Sequence, residues 1–292
     1  MLARLLIGLI DAQSPWTRPL GDLAHRFLHW LFHRIPAVRD LLNGRWLGHP
    51  LHAALTDVPI GILFLSLVFD LLHLPDAATW AIGIGILAML AAALAGFADY
   101  ADTDGRARER ATLHSTLMIV ALLAYVVSLA LRLGPSGAVE TTGGFLVSLI
   151  AFVVLSAGAY VGGDVVYVLG NMVSRHAWRG AGAKWIALEP AEVDPAGQIP
   201  EGRPIKAKLG INQLVLVRHG EAILALHDVC AHAGGPLHEG KLVDDAIECP
   251  WHYSRYRMAN GHVVEGPSVY SQPAYEVRVA QGGGWEARRQ PG

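Results

Sequence analysis

The sequence predicts an α + β protein of two domains: an N-terminal four-helix transmembrane bundle followed by a small all-β domain. Three observations carry that reading. Of the 292 residues, 52% are hydrophobic and only 16% charged, which is too apolar for one ordinary soluble domain. Four apolar stretches, at roughly 53–74, 78–98, 112–133 and 144–170, are each long enough to cross a hydrocarbon layer of ~30 Å. Beyond Gly170 the composition shifts. Residues 171–292 hold thirteen of the 23 Lys and Arg, in short alternating runs punctuated by glycine.

Residues 1–45 form the first segment. The stretch Leu20 to Ile35, rich in Leu, Phe and Trp but too interrupted by charge to span, predicts an amphipathic helix lying in the membrane interface. His25, His29 and His33 recur every four residues on one face of it. They form either a metal-binding row or simply the wet side of the helix. Met1 to Ile10 is apolar but is followed by no small-residue cleavage site, so it is not read as a signal peptide.

Residues 46–175 hold the four spans. They are helices, since an open strand edge in lipid leaves backbone polar groups unsatisfied. The turn at Leu74-Pro75-Asp76, a polar loop from Asp99 to Arg110 and a turn from Gly134 to Gly144 make the bundle antiparallel. Pro50 suits a first helical turn and Pro59 predicts a kink. Gly83, Gly85, Gly96, Gly158, Gly162 and Gly163 are positions where helices can approach closely. Asp57, about a turn and a half into the first span, is expected to face the bundle interior. Four spans put the N-terminus, the Asp99–Arg110 loop and the C-terminal domain on one side. That side carries Arg4, Arg18, Arg26, Arg34, Arg39, Arg45, Arg106, Arg108, Arg110, Arg175, Arg179 and Lys184, against Arg132 on the other. The positive-inside rule makes the richer side cytoplasmic. In residues 184–289, strands are expected at Ile211–Arg218 and Ala222–His227 around His219-Gly220-Glu221, at Ala274–Val279, and at a closing strand near Trp285.

The chemistry concentrates in two short motifs, Cys230-Ala231-His232 and Cys249-Pro250-Trp251-His252, sixteen residues apart and containing the only cysteines of the chain. Two thiolates and two imidazoles are the ligand set of a mixed-ligand binuclear iron–sulfur cluster. A closed Cys2His2 zinc site uses the same residues, but zinc fingers take both cysteines from one knuckle, and here each knuckle supplies one Cys and one His. The spelling Cys-x-His-x16-Cys-x-x-His, followed by Gly234-Gly235-Pro236-Leu237 and later by Gly266-Pro267, resembles the Rieske 2Fe–2S ferredoxins over residues 184–289. The resemblance implies that Cys230, His232, Cys249 and His252 are the cluster ligands and that Pro267 lies in the loop covering the cluster. It also implies that Ser254 and Tyr256 donate hydroxyl hydrogen bonds to a sulfide and a cysteine sulfur, which raises the potential. One departure stands out: Tyr253 occupies a position where the family usually has Gly, and a positive φ there would be strained. Rieske proteins of the respiratory bc complexes carry an additional disulfide. Its absence resembles the ferredoxin branch, which works in reducing cytosol.

The run Gly48-His49-Pro50-Leu51-His52 through Asp57 and Pro59, together with Gly96-Phe97-Ala98-Asp99 and the Arg-rich approach to His114, resembles a bacterial membrane-domain family of unknown function. That family is sometimes fused to a Rieske domain, and the likeness covers about residues 40–175. His49, His52, Asp57, Asp99 and His114 are all expected at the cytoplasmic end. His52 and His114 are candidate axial ligands of a b-type haem, with His49 as a substitute for His52, and Asp57 and Asp99 as groups that could orient an imidazole. The alternative is histidines that cap helix ends at an interface.

Membrane-anchored one-electron transfer is thus the expected function. A quinone- or ion-binding membrane protein, or a redox sensor, is the alternative. A Rieske oxygenase needs a mononuclear iron site in a large separate domain, and only about forty residues follow His252. The expected partners are a soluble or membrane redox protein and membrane lipid, and a homo-oligomer is compatible with the sequence. A net charge of −2 gives no reason to expect nucleic acid. The expected location is the bacterial inner membrane, multi-pass, with the Rieske domain in the cytoplasm.

Overall fold

The computed structural model describes residues 2–134, 141–177, 184–193 and 198–290. Arg179 and most of the Gly134–Gly144 turn lie outside them. The chain divides into two compact units, Met1–Gly44 with Pro50–Asn171, and Arg45–His49 with Met172–Gly292.

The first unit opens with three helices where one was expected: α1 (Leu2–Asp11), α2 (Ser14–Arg34) and α3 (Pro36–Asn43). Proline in the first turn restarts the helix at α2 and again at α3. Gly44, at φ 83°, ends α3 in the left-handed conformation that glycine adopts without strain. The apolar row of α2 is the exposed one: Trp16, Leu20, Leu23, Phe27 and Trp30. The polar row carrying His29 and His33 turns toward the end of the bundle, so the wet-face reading of that stripe does not hold for those two residues.

Four helices long and apolar enough to cross a membrane follow. They are α4 (Leu51–Leu71), α5 (Pro75–Tyr100), α6 (Gly105–Arg132) and α7 (Thr141–Gly163), the last running into one π turn, Asp164–Val168. The long polar loop expected from Asp99 to Arg110 is only the short turn Ala101–Asp104. Arginine is a good helix former, and the three arginines meet carboxylates from the first turn of α6 onward. Arg106 reaches Asp11 (3.2 Å), Arg108 reaches Asp22 (2.8 Å) and Arg110 reaches Asp164 (2.6 Å). Asp57 is exposed on α4 rather than inside, because the inward side of α4 is taken by Pro59, Leu63 and Ser66.

The two helical hairpins are copies of one plan, which residue patterning alone did not suggest. Buried Pro59, Leu63 and Ser66 of α4 correspond to buried Ala121, Tyr125 and Ser128 of α6. Asp70 and Arg132 continue the series at the same separation of 62 residues. On the partner helices, Ala78, Ile82, Gly85, Met89 and Ala95 correspond to Gly144, Ser148, Ala151, Leu155 and Val161, all buried. Helices pack cyclically, α4 on α5, α5 on α6, α6 on α7 and α7 on α4, so each hairpin presents the same face to the other. Of the small residues expected at crossings, Gly85, Gly96, Gly158 and Gly162 are so used. A Cβ on Gly85 would stand 2.4 Å from Leu63 Cδ2, whereas one on Gly83 would meet nothing within 4 Å and one on Gly163 only Tyr167 at 3.8 Å.

In the second unit, β1 (Ile186–Pro190), β2 (Ile205–Leu209), β3 (Asn212–His219), β4 (Ala222–His227), β9 (Ala274–Val279) and β10 (Trp285–Arg289) close a barrel in the order β1-β10-β9-β4-β3-β2. The strands β5 (Lys241–Val243), β6 (Ala246–Glu248), β7 (Arg255–Arg257) and β8 (Val263–Glu265) form a separate antiparallel sheet. The β3–β4 hairpin turns at Gly220 as expected, with His219 opposite Ala222. β3 serves both cores, because successive side chains point to opposite faces. Leu214 and Leu216 enter the barrel core, while Val215 and Val217 join Leu226, Leu237, Ile247 and Tyr256 beneath the cysteine loops.

Candidate metal centre

The two cysteine motifs fold into matching knuckles. In the first, between β4 and β5, Cys230 N–H donates to Gly235 O (2.9 Å) and Gly234 N–H donates back to Cys230 O (2.9 Å). In the second, between β6 and β7, Cys249 N–H donates to Ser254 O (2.9 Å) and Tyr253 N–H to Cys249 O (3.1 Å). Each loop thus turns back on itself at the fourth residue after the cysteine, and that residue needs a positive φ. Gly234 has φ 90° and Tyr253 has φ 62°. Tyr253 therefore adopts the strained conformation expected of it at a positive φ.

The knuckles face each other. Cys230 and Cys249 are both buried, no disulfide joins them, and each lies close enough to the other to act on its ionisation. The rings of His232 and His252 lie 5.0 Å apart between centroids at an interplanar angle of 85°. A Cβ on Gly235 would sit 2.9 Å from Cys249 Sγ and 3.0 Å from the Trp251 ring, so only glycine lets the loops close this far. Burial, and then the neighbouring Cys249, push the Cys230 thiol up. Cys249 is lowered to about 7, first by its bond with Cys230 and then by the N–H groups of Trp251 and His252. Two soft sulfur donors and two imidazoles from facing loops fit an iron–sulfur cluster of the mixed-ligand kind.

The residues expected to tune the site surround it. Tyr256 is fully buried on β7 with its hydroxyl 3.1 Å from Cys230 Sγ. Burial holds that phenol well above its ordinary range, so it stays protonated and able to donate. Ser254 is buried too, and its Oγ accepts from Ser268 N–H (3.1 Å), which leaves the hydroxyl proton available to a further acceptor. Pro267 is buried. The Gly266 before it, at φ 99°, packs so closely on the second knuckle that a Cβ would be 2.5 Å from Ser254 Cα. Tyr256→Phe is expected to lower the cluster potential by a few tens of millivolts to about 100 mV, the range for one hydrogen bond to a charged sulfur. An optical redox titration measures this, and an unchanged potential would mean that the hydroxyl does not act on the sulfur.

Sequence reading missed the supports of the first knuckle. Gln272, buried, accepts from Ala231 N–H (2.9 Å) and donates to Val229 O (2.7 Å). His176 Nε2 lies 2.8 Å from the same carbonyl, and its ring packs on His227 at 4.5 Å. Asp228 accepts from the backbone N–H of His238 (2.8 Å). A lone Gln and a linker His carry no motif, so nothing in their spacing could have singled them out.

In the first unit, His52 and His114 come together, with ring centroids 6.1 Å apart at 80°. Each Nδ1 faces a backbone carbonyl at 2.8 Å, His52 that of Ala92 and His114 that of Gly158. Each ring also lies against a glycine of its partner helix, Gly96 or Gly162. These are equivalent positions of the two hairpins. Asp57 plays no part there, and His49 belongs to the second unit. Asp99 is buried and sits near Asp102, a residue the sequence did not single out, whose carboxyl burial pushes up to about 7 against the opposing pull of Arg39.

Known proteins match both units. Residues 189–276 match the Rieske [2Fe-2S] domain family, and residues 48–175 match a family described as predicted membrane protein (DUF2231). The anthranilate 1,2-dioxygenase ferredoxin subunit of Burkholderia cepacia is 30% identical over 95 residues, which are 32% of this chain and 88% of that one. Ferredoxin CarAc of Metapseudomonas resinovorans is 32% identical over 75 residues, 26% of this chain and 70% of its own. The cytochrome b6-f complex iron-sulfur subunit of Chlorobaculum tepidum is 28% identical over 90 residues, 31% of this chain, and this chain spans 49% of that relative's length. The zinc alternative falls with these matches: the cofactor is a 2Fe–2S cluster.

Proposed function

Since the chain belongs to the Rieske 2Fe–2S family and joins that domain to a DUF2231 membrane domain, we propose that it is a membrane-anchored carrier of single electrons. The observation that carries this reading is the pair of facing knuckles, which bring two cysteines and two histidines together around one position. Cys230, His232, Cys249 and His252 would hold the cluster, which supplies reversible one-electron chemistry when bound. Backbone N–H groups and the Tyr256 hydroxyl stabilise negative charge on the sulfurs. Trp251 and Tyr253, exposed at 50% and 45%, flank a half-buried His252. That edge is where a soluble redox protein would approach, as suits a chain related to the ferredoxin subunit of a dioxygenase. The exposed apolar row of α2 would rest in the membrane interface.

The excess of arginine on one side of the spans supports a cytoplasmic second unit. Cysteine introduced in place of His73, between α4 and α5, is expected to react with an impermeant maleimide added to intact cells. Cysteine in place of Gln281 is expected to react only after lysis, and the parent protein not at all. The opposite pattern would place the second unit outside.

The His52–His114 pair supports a redox group within the bundle. Donation from Nδ1 to a carbonyl leaves Nε2 unprotonated and basic, the state in which an imidazole binds a metal. We assign the pair as the ligands of a b-type haem. Protein made with ample haem supply is expected to give a pyridine haemochrome, lost in the His52→Ala/His114→Ala variant. Absence of haem from the parent, or its retention in the variant, would defeat the assignment and leave the Rieske reading untouched.

A further inference from the structure

His29 and His33 stand one turn apart on α2 with ring centroids 4.0 Å apart. Across from them is Asp102, in the turn after α5. One ligand atom from each of the three residues lies within 4.8 Å of the others. Donors bonded at about 2.0–2.2 Å in a tetrahedral site stand roughly 3.3–3.6 Å apart, so the three atoms must close by up to about 1.5 Å, which side-chain rotation can supply. Asp102 is 4% exposed, and its Oδ2 has no hydrogen-bond partner among the described residues. Asp99, close enough to feel its charge, has an Oδ1 in the same condition. Two buried carboxylates with only the partial compensation of Arg39 are costly. The neighbouring guanidinium of Arg39 directs its Nε and one terminal nitrogen to Asp40, at 3.1 and 3.0 Å.

We propose that His29, His33 and Asp102 bind a divalent first-row transition metal ion of the Zn2+ type, which ties α2 to the end of α5. Two neutral imidazoles, a divalent ion and the carboxylates of Asp102 and Asp99 sum to zero charge, which resolves the imbalance. Nitrogen donors favour Zn2+, Fe2+, Ni2+ or Cu2+ over the all-oxygen preference of Ca2+ and Mg2+. His29 Nδ1 lies 3.3 Å from Ala101 O. Donating there, it keeps Nε2 free of a proton, the usual support of a ligating histidine. The site shares no residue with the cysteine knuckles or with the His52–His114 pair.

The test uses the full-length protein in detergent, with its cluster in place, after a chelator has removed exchangeable metal without bleaching the cluster bands. Co2+ is titrated in and followed by difference spectra against the same protein without it, then displaced by Zn2+. One Co2+ per chain is expected. His33→Ala and Asp102→Asn should each weaken binding at least about a hundredfold, more than the loss of a mere supporting contact. His25→Ala, in the same row but outside the group, should not change it. Asp102→Asn preserves shape and decides the question if His33→Ala fails to fold, as judged by circular dichroism and gel filtration. Failure of the parent protein to bind Co2+, or parent-like affinity in Asp102→Asn, would overturn the proposal.

Discussion

Cys249→Ser is expected to remove the cluster outright. The purified variant should lose its visible absorption and both labile sulfide and iron, while circular dichroism retains the barrel. The expectation rests on how the second knuckle is built. Cys249 is 1% exposed, its backbone N–H and C=O both close the loop, and its sulfur lies against Gly235 of the facing knuckle. No third cysteine exists to replace it. The barrel core of Leu188, Ile199, Ile205, Leu214 and Leu216 includes neither cysteine loop, so the fold of that half should outlast the cofactor. Gly235→Ala makes a graded counterpart: the added methyl must displace Cys249 or Trp251, so cluster occupancy should fall with every ligand still present. A Cys249→Ser protein that kept stoichiometric iron and sulfide would mean that the ligands lie elsewhere.

The second large effect is expected at the far end of the bundle. Arg132 and Asp70 form a bidentate pair at 2.8 and 2.6 Å, with side chains 0% and 5% exposed. Arg132 also donates to Ser148 Oγ (3.1 Å), and Ser128 and Ser148 both donate to Gly144 O. Removing one partner strands a buried charge. Asp70→Ala should therefore destabilise the bundle by about 3–5 kcal/mol, read as an earlier midpoint in denaturant titration of the detergent-solubilised protein. Asp70→Leu/Arg132→Met, which removes both charges and keeps apolar bulk, should be much milder. Equal damage from the single and double changes would assign the loss to packing rather than to charge.

What could be read in the sequence follows from what each signal depends on. The spans and the β3–β4 hairpin were legible because hydrophobic length and a glycine turn are local properties. The ligand set was legible because four chemically distinctive residues sit in two short motifs. The positive φ of Tyr253 could be anticipated from the family's usual glycine, and its match to Gly234 explains why a residue with that φ belongs there. Other features were hidden. The Arg106–Arg110 segment read as loop because its charges looked solvated, whereas carboxylates distant in sequence neutralise them. Asp57 read as interior because hydropathy does not say which side of a helix is covered. The inward turn of His29 and His33 depended on α3 and the Ala101–Asp104 turn, which only the folded chain brings beside α2. The duplicated hairpins were available in principle, since His52 to His114 and Asp70 to Arg132 have equal spacing, but the sequence likeness between the halves is too slight to announce itself.

That duplication bears on ancestry. Two separate, identical hairpins can associate symmetrically and set one histidine beside its own counterpart, because like imidazoles tolerate each other. They cannot set an aspartate opposite an arginine at the corresponding place, since identical copies would meet there as two acids or two bases. The Asp70–Arg132 bond therefore requires halves free to diverge, as they are once joined in one polypeptide. Having diverged, each half is specific for the other. Two first hairpins, or two second hairpins, brought together would leave like charges facing, so the ion pair favours the pairing of a first half with a second.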